Sequence, residues 1–313
     1  MQRAYLARFS LLVALLATFT AASAQTAASC TQCAEWNVSQ EPFRIYGNTY
    51  YVGVHGLSSI LITSPQGHVL IDGDIPESAP KIVANIKALG FRIKDVKLIL
   101  NSHVHFDHAG GIAELHRLSG APVAASKFTA LALESGHSGR DDPQYGAIRP
   151  IQPVAHVRVI KDGETLHVGP LALTAHFTPG HTPGGTTWTW QSCDRAVSEG
   201  TPGGGDQDHC LNMVYADSLS AVSADNFRFS RNTTYPRVIQ DFEKSFATLS
   251  ALPCDILLTP HPEASDLWAR LARREKGDLN ALVDKTACRR LADTSRANLE
   301  KRIASEGGGA DGH

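Results

Sequence analysis

The sequence predicts one continuous α/β domain, and two observations lead to this fold class. The 313-residue chain has ordinary globular composition, with 42% hydrophobic and 19% charged residues. Strand-like segments rich in β-branched and aromatic residues alternate with segments of helical periodicity in both halves of the chain. This composition excludes collagen-like, coiled-coil and wholly disordered chains. The formal net charge of −2 provides no basic surface for a nucleic-acid backbone, so we expect no nucleic-acid partner.

Residues 1–24 have the features of a signal peptide and are set aside from the fold. Arg3 and Arg8 precede an apolar run, and the Ala-Ser-Ala sequence at 22–24 fits a small-residue cleavage site. The alternative, a transmembrane anchor, requires a longer apolar run than this one. We therefore expect an exported protein, located in a bacterial periplasm, with no membrane contact after removal of the signal peptide.

The first half of the mature chain predicts strands followed by helices. The helix at 79–89 is predicted because its apolar residues recur every three or four positions and Gly90 follows it. The strands are short segments in which β-branched, aromatic and other apolar residues predominate. The predicted elements are strands at 44–52, 59–63, 68–72 and 96–100 and helices at 79–89 and 112–118.

The second half repeats this order of strands and then helices. The predicted elements are strands near 157–160, 171–177, 186–190, 211–216 and 255–259 and helices at 237–251, 265–274 and 278–303. The glycine-rich segment 192–207 is predicted to be an exposed loop, and the glycine-rich tail 305–313 is predicted to be disordered. The predicted domain therefore spans residues 25–304.

The six cysteines are interpreted in the light of the predicted export, because oxidising compartments allow disulfides. Cys30 and Cys33 have CxxC spacing, but no second such pair follows, which disfavours a four-cysteine zinc site. No thioredoxin-like strand and helix follow them either, which disfavours a redox motif. Order along the chain favours two pairs, Cys193–Cys210 and Cys254–Cys288. The partners of the first two cysteines stay open.

The strongest chemical signal is the segment His103-Val-His105-Phe-Asp107-His108, which comes directly after the predicted strand at 96–100. Its three histidines and one aspartate cannot all lie on one face of a strand or helix. A loop can direct His103 and His105 toward one centre and Asp107 and His108 toward a neighbouring one. Imidazole and carboxylate are suitable zinc ligands, at about 2 Å from the metal. The segment therefore predicts a metal site rather than a histidine-rich surface loop.

Two later histidines also follow predicted strand ends. His181 lies in a Thr-Pro-Gly-His-Thr-Pro-Gly turn after the strand at 171–177, and His261 lies in Thr-Pro-His-Pro after the strand at 255–259. A lone histidine beside prolines is more often an ordinary loop residue, but this chain already needs further ligands, so we predict both as metal ligands. The other nine of the 14 histidines have no such context and are expected in surface or packing roles.

Together these motifs resemble the metallo-β-lactamase superfamily over essentially the whole mature chain. The HxHxDH pattern alone is specific only to the superfamily, whereas further segments resemble subclass B3 metallo-β-lactamases. These segments are Tyr46-Gly-Asn-Thr, Thr178-Pro-Gly-His-Thr-Pro-Gly-Gly-Thr, Trp188-Thr-Trp190, Tyr215-Ala-Asp-Ser-Leu219, Ser223-Ala-Asp and Thr259-Pro-His-Pro. The resemblance implies a four-layer αββα sandwich with metals at one edge between the sheets. It also favours the Cys254–Cys288 pairing.

Residue by residue, the resemblance implies two zinc ions per chain and assigns their ligands. The ligands would be His103, His105 and His181 for the first zinc and Asp107, His108 and His261 for the second. A water bridging the metals, ionised near neutral pH, would attack a β-lactam carbonyl that the first zinc polarises. The second zinc would stabilise the leaving amide nitrogen, and Asp107 would orient the nucleophile. Ser218 and Ser220 would contact the substrate.

Three neighbouring residues have two interpretations each. Asp217 either bridges the metals, as aspartates do in many hydrolases of the superfamily, or lies behind the ligands, which we favour. Asp72 is either a second layer of support for the ligands or a buried structural aspartate at a strand end. Trp36 either packs the N-terminal segment over the site or anchors an ordinary strand.

The resemblance implies hydrolysis of penicillins, cephalosporins and carbapenems by a monomeric enzyme that gives antibiotic resistance. One alternative is another binuclear zinc hydrolase of the same fold, acting on a lactone, thioester or phosphodiester. A non-catalytic zinc-binding protein is the remaining one, and it is disfavoured because two open three-ligand sites exceed what a closed structural site requires.

Overall fold

A computed structural model describes residues 30–195 and 208–307 of the protein. The predicted signal peptide 1–24, residues 196–207 of the predicted glycine-rich loop and the tail beyond residue 307 lie outside this range. Within it, none of the helices combines the length and apolar character needed to cross a bilayer.

The first sheet has seven strands in sequential order. They are β1 (Phe43–Tyr46), β2 (Thr49–Tyr51), β3 (Ile60–Ile62), β4 (His68–Ile71), β5 (Val96–Leu100), β6 (Val123–Ala125) and β7 (Arg158–Val159). The first four strands pair antiparallel, and β4 to β7 pair parallel. The predicted strand at 44–52 is two strands, because Gly47, with φ of 49°, turns the chain between them.

The second sheet has five strands in the order β12-β11-β10-β9-β8. They are β8 (Thr165–Val168), β9 (Leu171–Phe177), β10 (Thr186–Arg195), β11 (Asp208–Tyr215) and β12 (Ile256–Leu258). The strands from β8 to β11 pair antiparallel, whereas β11 and β12 pair parallel. Consequently β9, β11 and β12 run in one direction, and their carboxyl ends lie at the same edge of the sheet.

Eight helices accompany the two sheets in the described part of the chain. They are α1 (Cys33–Trp36), α2 (Ala79–Ala88), α3 (Phe106–Ala109), α4 (Ile112–Ser119), α5 (Lys127–Ser135), α6 (Val238–Ala251), α7 (Leu267–Glu275) and α8 (Ala287–Gly307). Short 3-10 turns lie at Pro76–Ser78, Ile93–Asp95 and Pro262–Ser265.

Three hydrophobic cores define the layers. One lies between the first sheet and helices α2, α4 and α5 and includes Leu70 and Ile86. The second fills the space between the two sheets, where Ile71 of β4 and Trp188 of β10 belong to the same cluster. The third lies between the second sheet and helices α6 and α8. This order of helix, sheet, sheet and helix confirms the αββα sandwich.

Two predicted helical boundaries are wrong at the C-terminal end. The predicted helix at 278–303 begins only at Ala287, because Ala281 and Leu282 direct their carbonyl groups to the Arg270 guanidinium instead of to a following helical turn. Helix α8 then continues to Gly307, past the predicted start of the tail at 305.

Helix α5 and strands β6 and β8 are absent from the sequence prediction. Ser126 caps α5 by accepting a hydrogen bond from the Thr129 amide, and Gly136 ends the helix with φ of 78°. Its apolar residues do not follow one stripe, since Phe128 and Leu131 are 53% and 57% exposed while Leu133 is buried. The periodicity that reveals other helices is therefore missing.

The three disulfides join Cys30–Cys33, Cys193–Cys210 and Cys254–Cys288. The last two confirm the favoured pairs. Cys30 and Cys33, whose partners the order of the cysteines leaves open, pair with each other.

Candidate metal centre

Four loops meet at one edge of the sandwich, between the sheets. Residues 101–108 follow β5, the turn at 178–185 follows β9, residues 216–220 follow β11, and His261 comes three residues after β12. All four loops leave the carboxyl ends of strands, so the sheet directions bring them together. Ligands and active sites commonly lie at such strand ends.

His103, His105 and His181 form the first cluster of this edge. All three are buried, and one potential ligand atom from each lies within 4.8 Å of the others. Their rings contact pairwise, with centroid separations of 4.7, 4.8 and 4.9 Å. Three imidazoles gathered in this way can turn one nitrogen each toward a single ion, at about 2 Å from it.

Each of these rings has one nitrogen bonded to protein on the side away from the cluster. Asp217 Oδ1 lies 2.7 Å from Nδ1 of His103, and the Ser220 carbonyl lies 2.8 Å from Nδ1 of His181. Both carboxylate oxygens of Asp142 lie 3.0–3.1 Å from Nε2 of His105. An N–H that donates to the oxygen behind each ring leaves the opposite nitrogen free as a ligand.

The nitrogens left free fit a metal. The Nε2 atom of His103 is buried and has no hydrogen-bond partner among the described residues, a costly arrangement unless an ion or water occupies the space beside it. Near Nδ1 of His105 lies only the Gln144 side-chain amide, at 3.3 Å, among the described residues. A metal would replace this long contact.

The second predicted ligand set surrounds one carboxylate oxygen. Oδ2 of Asp107 lies 3.2 Å from Nε2 of His108 and 3.3 Å from Nε2 of His261. Ligand atoms of His103, Asp107 and His108 also lie within 4.8 Å of one another, so the two sets adjoin. Helix α3 contributes to this arrangement, because Asp107 and His108 lie in its first turn while His105 immediately precedes it.

Burial and neighbouring charges give His103, His181 and Asp107 the protonation states that metal binding requires. Burial lowers the pKa of His181 to about 3 and holds the pKa of His103 well below its usual range. Burial alone would raise the pKa of Asp107, but His108 and His261 outweigh it and hold that pKa well below its usual range. For His105, the charge of Asp142 and its hydrogen bond outweigh burial and raise the pKa.

Two cavities are lined by residues of this centre or by residues next to its ligands. One, of about 510 Å³, is lined by His261, Ser218 and Ser220 together with residues of α8. The other, of about 360 Å³, is lined by Thr182 and Asp142 and by apolar residues of α5. A small molecule of drug-like size therefore has room beside the second ligand set, at His261.

The residues with two interpretations are placed as follows. Asp217 contacts the rear nitrogen of His103, which supports a position behind the ligands rather than between metals. Asp72 accepts hydrogen bonds from Asn101, Ser102 and Tyr215, at 2.6–2.8 Å, and so ties the loop after β5 to the second sheet. Trp36 packs against His261, with ring centroids 5.3 Å apart.

Asp142 is the site residue that sequence reasoning missed. It lies in the irregular segment after α5, where no periodicity, glycine pattern or histidine spacing marks a functional position. Its side chain is only 2% exposed, and the backbone N–H of Gln144 donates a 2.8 Å hydrogen bond to its Oδ1. Only the folded chain brings it within reach of His105.

Comparison with known proteins places this arrangement in a family context. A family model described as the metallo-beta-lactamase superfamily matches residues 52–198. The structure of Rm3 metallo-beta-lactamase is similar, with 57% identity and a TM-score of 0.83 over 89% of this chain and 99% of that one. MEM-A1, a subclass B3 metallo-beta-lactamase from a soil metagenome library, is 52% identical, with a TM-score of 0.81 over 87% and 99% of the two chains.

Curated relatives are more distant. A hydroxyacylglutathione hydrolase of a Bradyrhizobium species is 30% identical over 79% of this chain and 78% of its own length. The chain spans 36% of the length of the first curated relative that it matches.

Proposed function

Because the chain belongs to the metallo-β-lactamase superfamily and, within it, to the hydrolases of subclass B3, we propose that it hydrolyses the β-lactam amide bond. The proposed substrates are penicillins, cephalosporins and carbapenems, and the proposed result is antibiotic resistance. The observation that carries this proposal is the pair of adjoining three-ligand sets, one of which opens onto a 510 Å³ cavity at His261. Identity of 57% to a metallo-beta-lactamase over most of the chain supports it.

We propose two zinc ions per chain, held by the residues of these sets. His103, His105 and His181 would bind the first, and Asp107, His108 and His261 the second. Bound zinc would polarise the substrate carbonyl and lower the pKa of a water to produce the nucleophile. The Asp107 carboxylate, whose pKa is held well below its usual range, would orient that nucleophile and accept its hydrogen bond.

Substrate contacts are proposed for Ser218 and Ser220. Both line the 510 Å³ cavity beside His261, and Ser218 is half-buried while Ser220 is exposed. Their hydroxyl groups can donate hydrogen bonds to a carboxylate or carbonyl of the substrate. Ser220 has a further role, because its carbonyl accepts the hydrogen bond that orients His181.

Hydrolysis of a lactone, thioester or phosphodiester by the same fold is the competing function. A metal-bridging role for Asp217 would favour this competing function, because aspartates bridge the metals in many such hydrolases of the superfamily. The 2.7 Å contact from Asp217 Oδ1 to the rear nitrogen of His103 speaks against that role. The hydroxyacylglutathione hydrolase among the curated relatives is 30% identical, whereas the metallo-beta-lactamase structures reach 57%.

We also propose export to a periplasm, removal of residues 1–24 and a monomeric state. Three disulfides support an oxidising compartment. Sequencing of the mature N-terminus and size-exclusion chromatography test these points.

One assay tests the proposed activity. Purified protein is incubated with nitrocefin and imipenem, with zinc and after treatment with a chelator. We expect zinc-dependent ring opening of both compounds. Turnover of lactones or thioesters without any β-lactam cleavage would eliminate the proposed function.

A further inference from the structure

Trp36 packs against the most exposed of the six proposed ligands. The His261 side chain is 35% exposed, and its ring lies between the Trp36 indole, at a centroid distance of 5.3 Å, and the His108 ring, at 4.8 Å. Within residues 30–195 and 208–307, no group hydrogen-bonds to Nδ1 of His261. At its rear side, therefore, only packing holds this imidazole, whereas hydrogen bonds hold the rear nitrogens of His103, His105 and His181.

The Trp36 backbone is tied to the body of the domain. The Gly56 amide donates a 3.0 Å hydrogen bond to the Trp36 carbonyl, and a side-chain carbon at Gly56 would lie only 2.6 Å from Trp36 Cα. The next residue, Asn37, accepts hydrogen bonds from the side chains of Ser78 and Lys81. The indole is thus presented to His261 from a fixed backbone.

A disulfide closes the turn immediately before Trp36. Helix α1 has only four residues, and helices this short are unstable without other support. The Cys30–Cys33 disulfide spans its start. The Arg149 guanidinium connects this disulfide to the ligand loop. It lies 3.7 Å from Cys33 Sγ and 5.4 Å from the Phe106 ring centroid. Phe106 lies between the ligands His105 and Asp107 in the sequence.

We propose that Trp36 is a positioning residue for the second metal, and that the Cys30–Cys33 disulfide fixes the turn that presents its indole. The inference rests on the proposed two-metal function. The physical reason is conformational: a partly exposed imidazole without a hydrogen bond at its rear nitrogen samples several rotamers, and each one that turns away from Asp107 weakens metal binding. The indole excludes those rotamers by occupying the space beside the ring.

The test compares zinc affinity in Trp36→Ala, Trp36→Phe and the wild type. Zinc is titrated against a chromophoric chelator, which measures the two binding steps separately. We expect the weaker step to lose about tenfold or more in affinity in Trp36→Ala, while the tighter step is unchanged. Trp36→Phe keeps a ring beside His261 and should retain most of the affinity. If Trp36→Ala does not fold, Trp36→Leu replaces it as the variant without a ring.

A second readout is independent of affinity. Cobalt bound at the second set should quench the emission of Trp36, and this component of quenching should be absent in Trp36→Phe. An unchanged weaker step in Trp36→Ala would overturn the proposal. Equal weakening of both steps would overturn it as well, because it would indicate general destabilisation.

The disulfide is tested with a matched pair of double variants. Cys30→Ser/Cys33→Ser should weaken the second zinc step by a smaller factor, about threefold, because the helix is loosened but the indole remains. Cys193→Ser/Cys210→Ser removes a disulfide at the far end of β10 and β11 and should leave both steps unchanged. Identical effects of the two double variants would overturn the role of Cys30–Cys33. A wild type that binds two zinc ions but leaves nitrocefin intact would refute only the proposed activity.

Discussion

The two proposed ligand sets use the same kinds of residue but are supported in different ways. In the first set all three imidazoles are buried, and each has its rear nitrogen bonded to Asp217, Asp142 or the Ser220 carbonyl. In the second set the rear nitrogen Nδ1 of His108 is buried without a partner among the described residues, and His261 is 35% exposed. Hydrogen bonds behind a ligand fix its tautomer and orientation and strengthen metal binding.

This difference implies a division of roles between the sets. The first is rigid before the metal arrives, so little ordering cost opposes binding. The second opens onto the larger cavity and relies on the charge of Asp107 and on packing around His261. We therefore expect the first zinc to bind tightly and the second to bind more weakly. We also expect the second to be more accessible to the substrate.

The largest effect is expected from His181→Ala, which removes a ligand from the rigid set. The variant should lose the first zinc and about a thousandfold in kcat/KM, since a catalytic metal contributes several kcal/mol to the transition state. Metal analysis and nitrocefin kinetics measure both losses. His167→Ala, at an exposed histidine of β8, is the matched control. Unchanged activity in His181→Ala would refute the ligand assignment.

Stepwise removal of zinc from the wild type tests the comparison directly. A chelator of increasing strength should extract one zinc per chain well before the other, with affinities that differ by about tenfold or more. His261→Ala should lack the weaker step and keep the tighter one. A single cooperative step in the wild type would contradict the difference between the sets.

Smaller losses are expected from the two carboxylates behind the first set. Asp142→Asn keeps an oxygen near Nε2 of His105 but removes the charge, so the first zinc should bind about tenfold more weakly. Asp217→Asn should behave similarly at His103 and still bind both metals at saturating zinc. Metal titration followed by atomic absorption measures these values. Loss of one zinc per chain from Asp217→Asn at saturation would instead favour a metal-bridging aspartate.

The smallest effect is expected away from both sets, just before α8. A variant there serves as a control for the effect of stability on metal binding. The Arg290 side chain donates a hydrogen bond to Asp284 and lowers the pKa of that carboxyl. A lowered pKa in the folded state stabilises the fold above the ordinary pKa of aspartate, about 4, and this contribution disappears as the pH falls below it.

Asp284→Asn should therefore reduce the free energy of unfolding by about 1 kcal/mol or less at pH 7, and by less at pH 3. Urea unfolding of the zinc-free protein at both pH values measures this change. The two zinc steps should stay as in the wild type. A shift in either step would show that stability alone affects metal binding, which would weaken the interpretation of the ligand-set variants.

Local patterns in the sequence were enough to predict most strands and helices. The buried strand Val96–Leu100 and the helix at Val238–Ala251 follow directly from apolar runs and helical periodicity. Helix α5 was missed because its exposed Phe128 and Leu131 disturb the one-sided pattern. The helix predicted from residue 278 was wrong because the buried Arg270 side chain, on the preceding helix α7, takes the carbonyl groups that a helix would use.

For the site too, local sequence predicts some features, and only the folded chain determines the others. The sequence by itself determined which residues are suited to bind metal, because three histidines and an aspartate within His103–His108 and two further histidines after strand ends have few other uses. Their chemistry is a property of the residue types and of local spacing. The family resemblance then grouped them into two sets.

Only the tertiary structure decided how each ligand is held. Asp142 reaches His105 across 37 residues and Asp217 reaches His103 across 114, and Trp36 contacts His261 from the opposite end of the chain. Such contacts depend on sheet order and on the direction in which each strand ends, which no local pattern encodes. The contrast between a first set held by hydrogen bonds and a second set with one partly exposed ligand held by packing therefore appears only after folding.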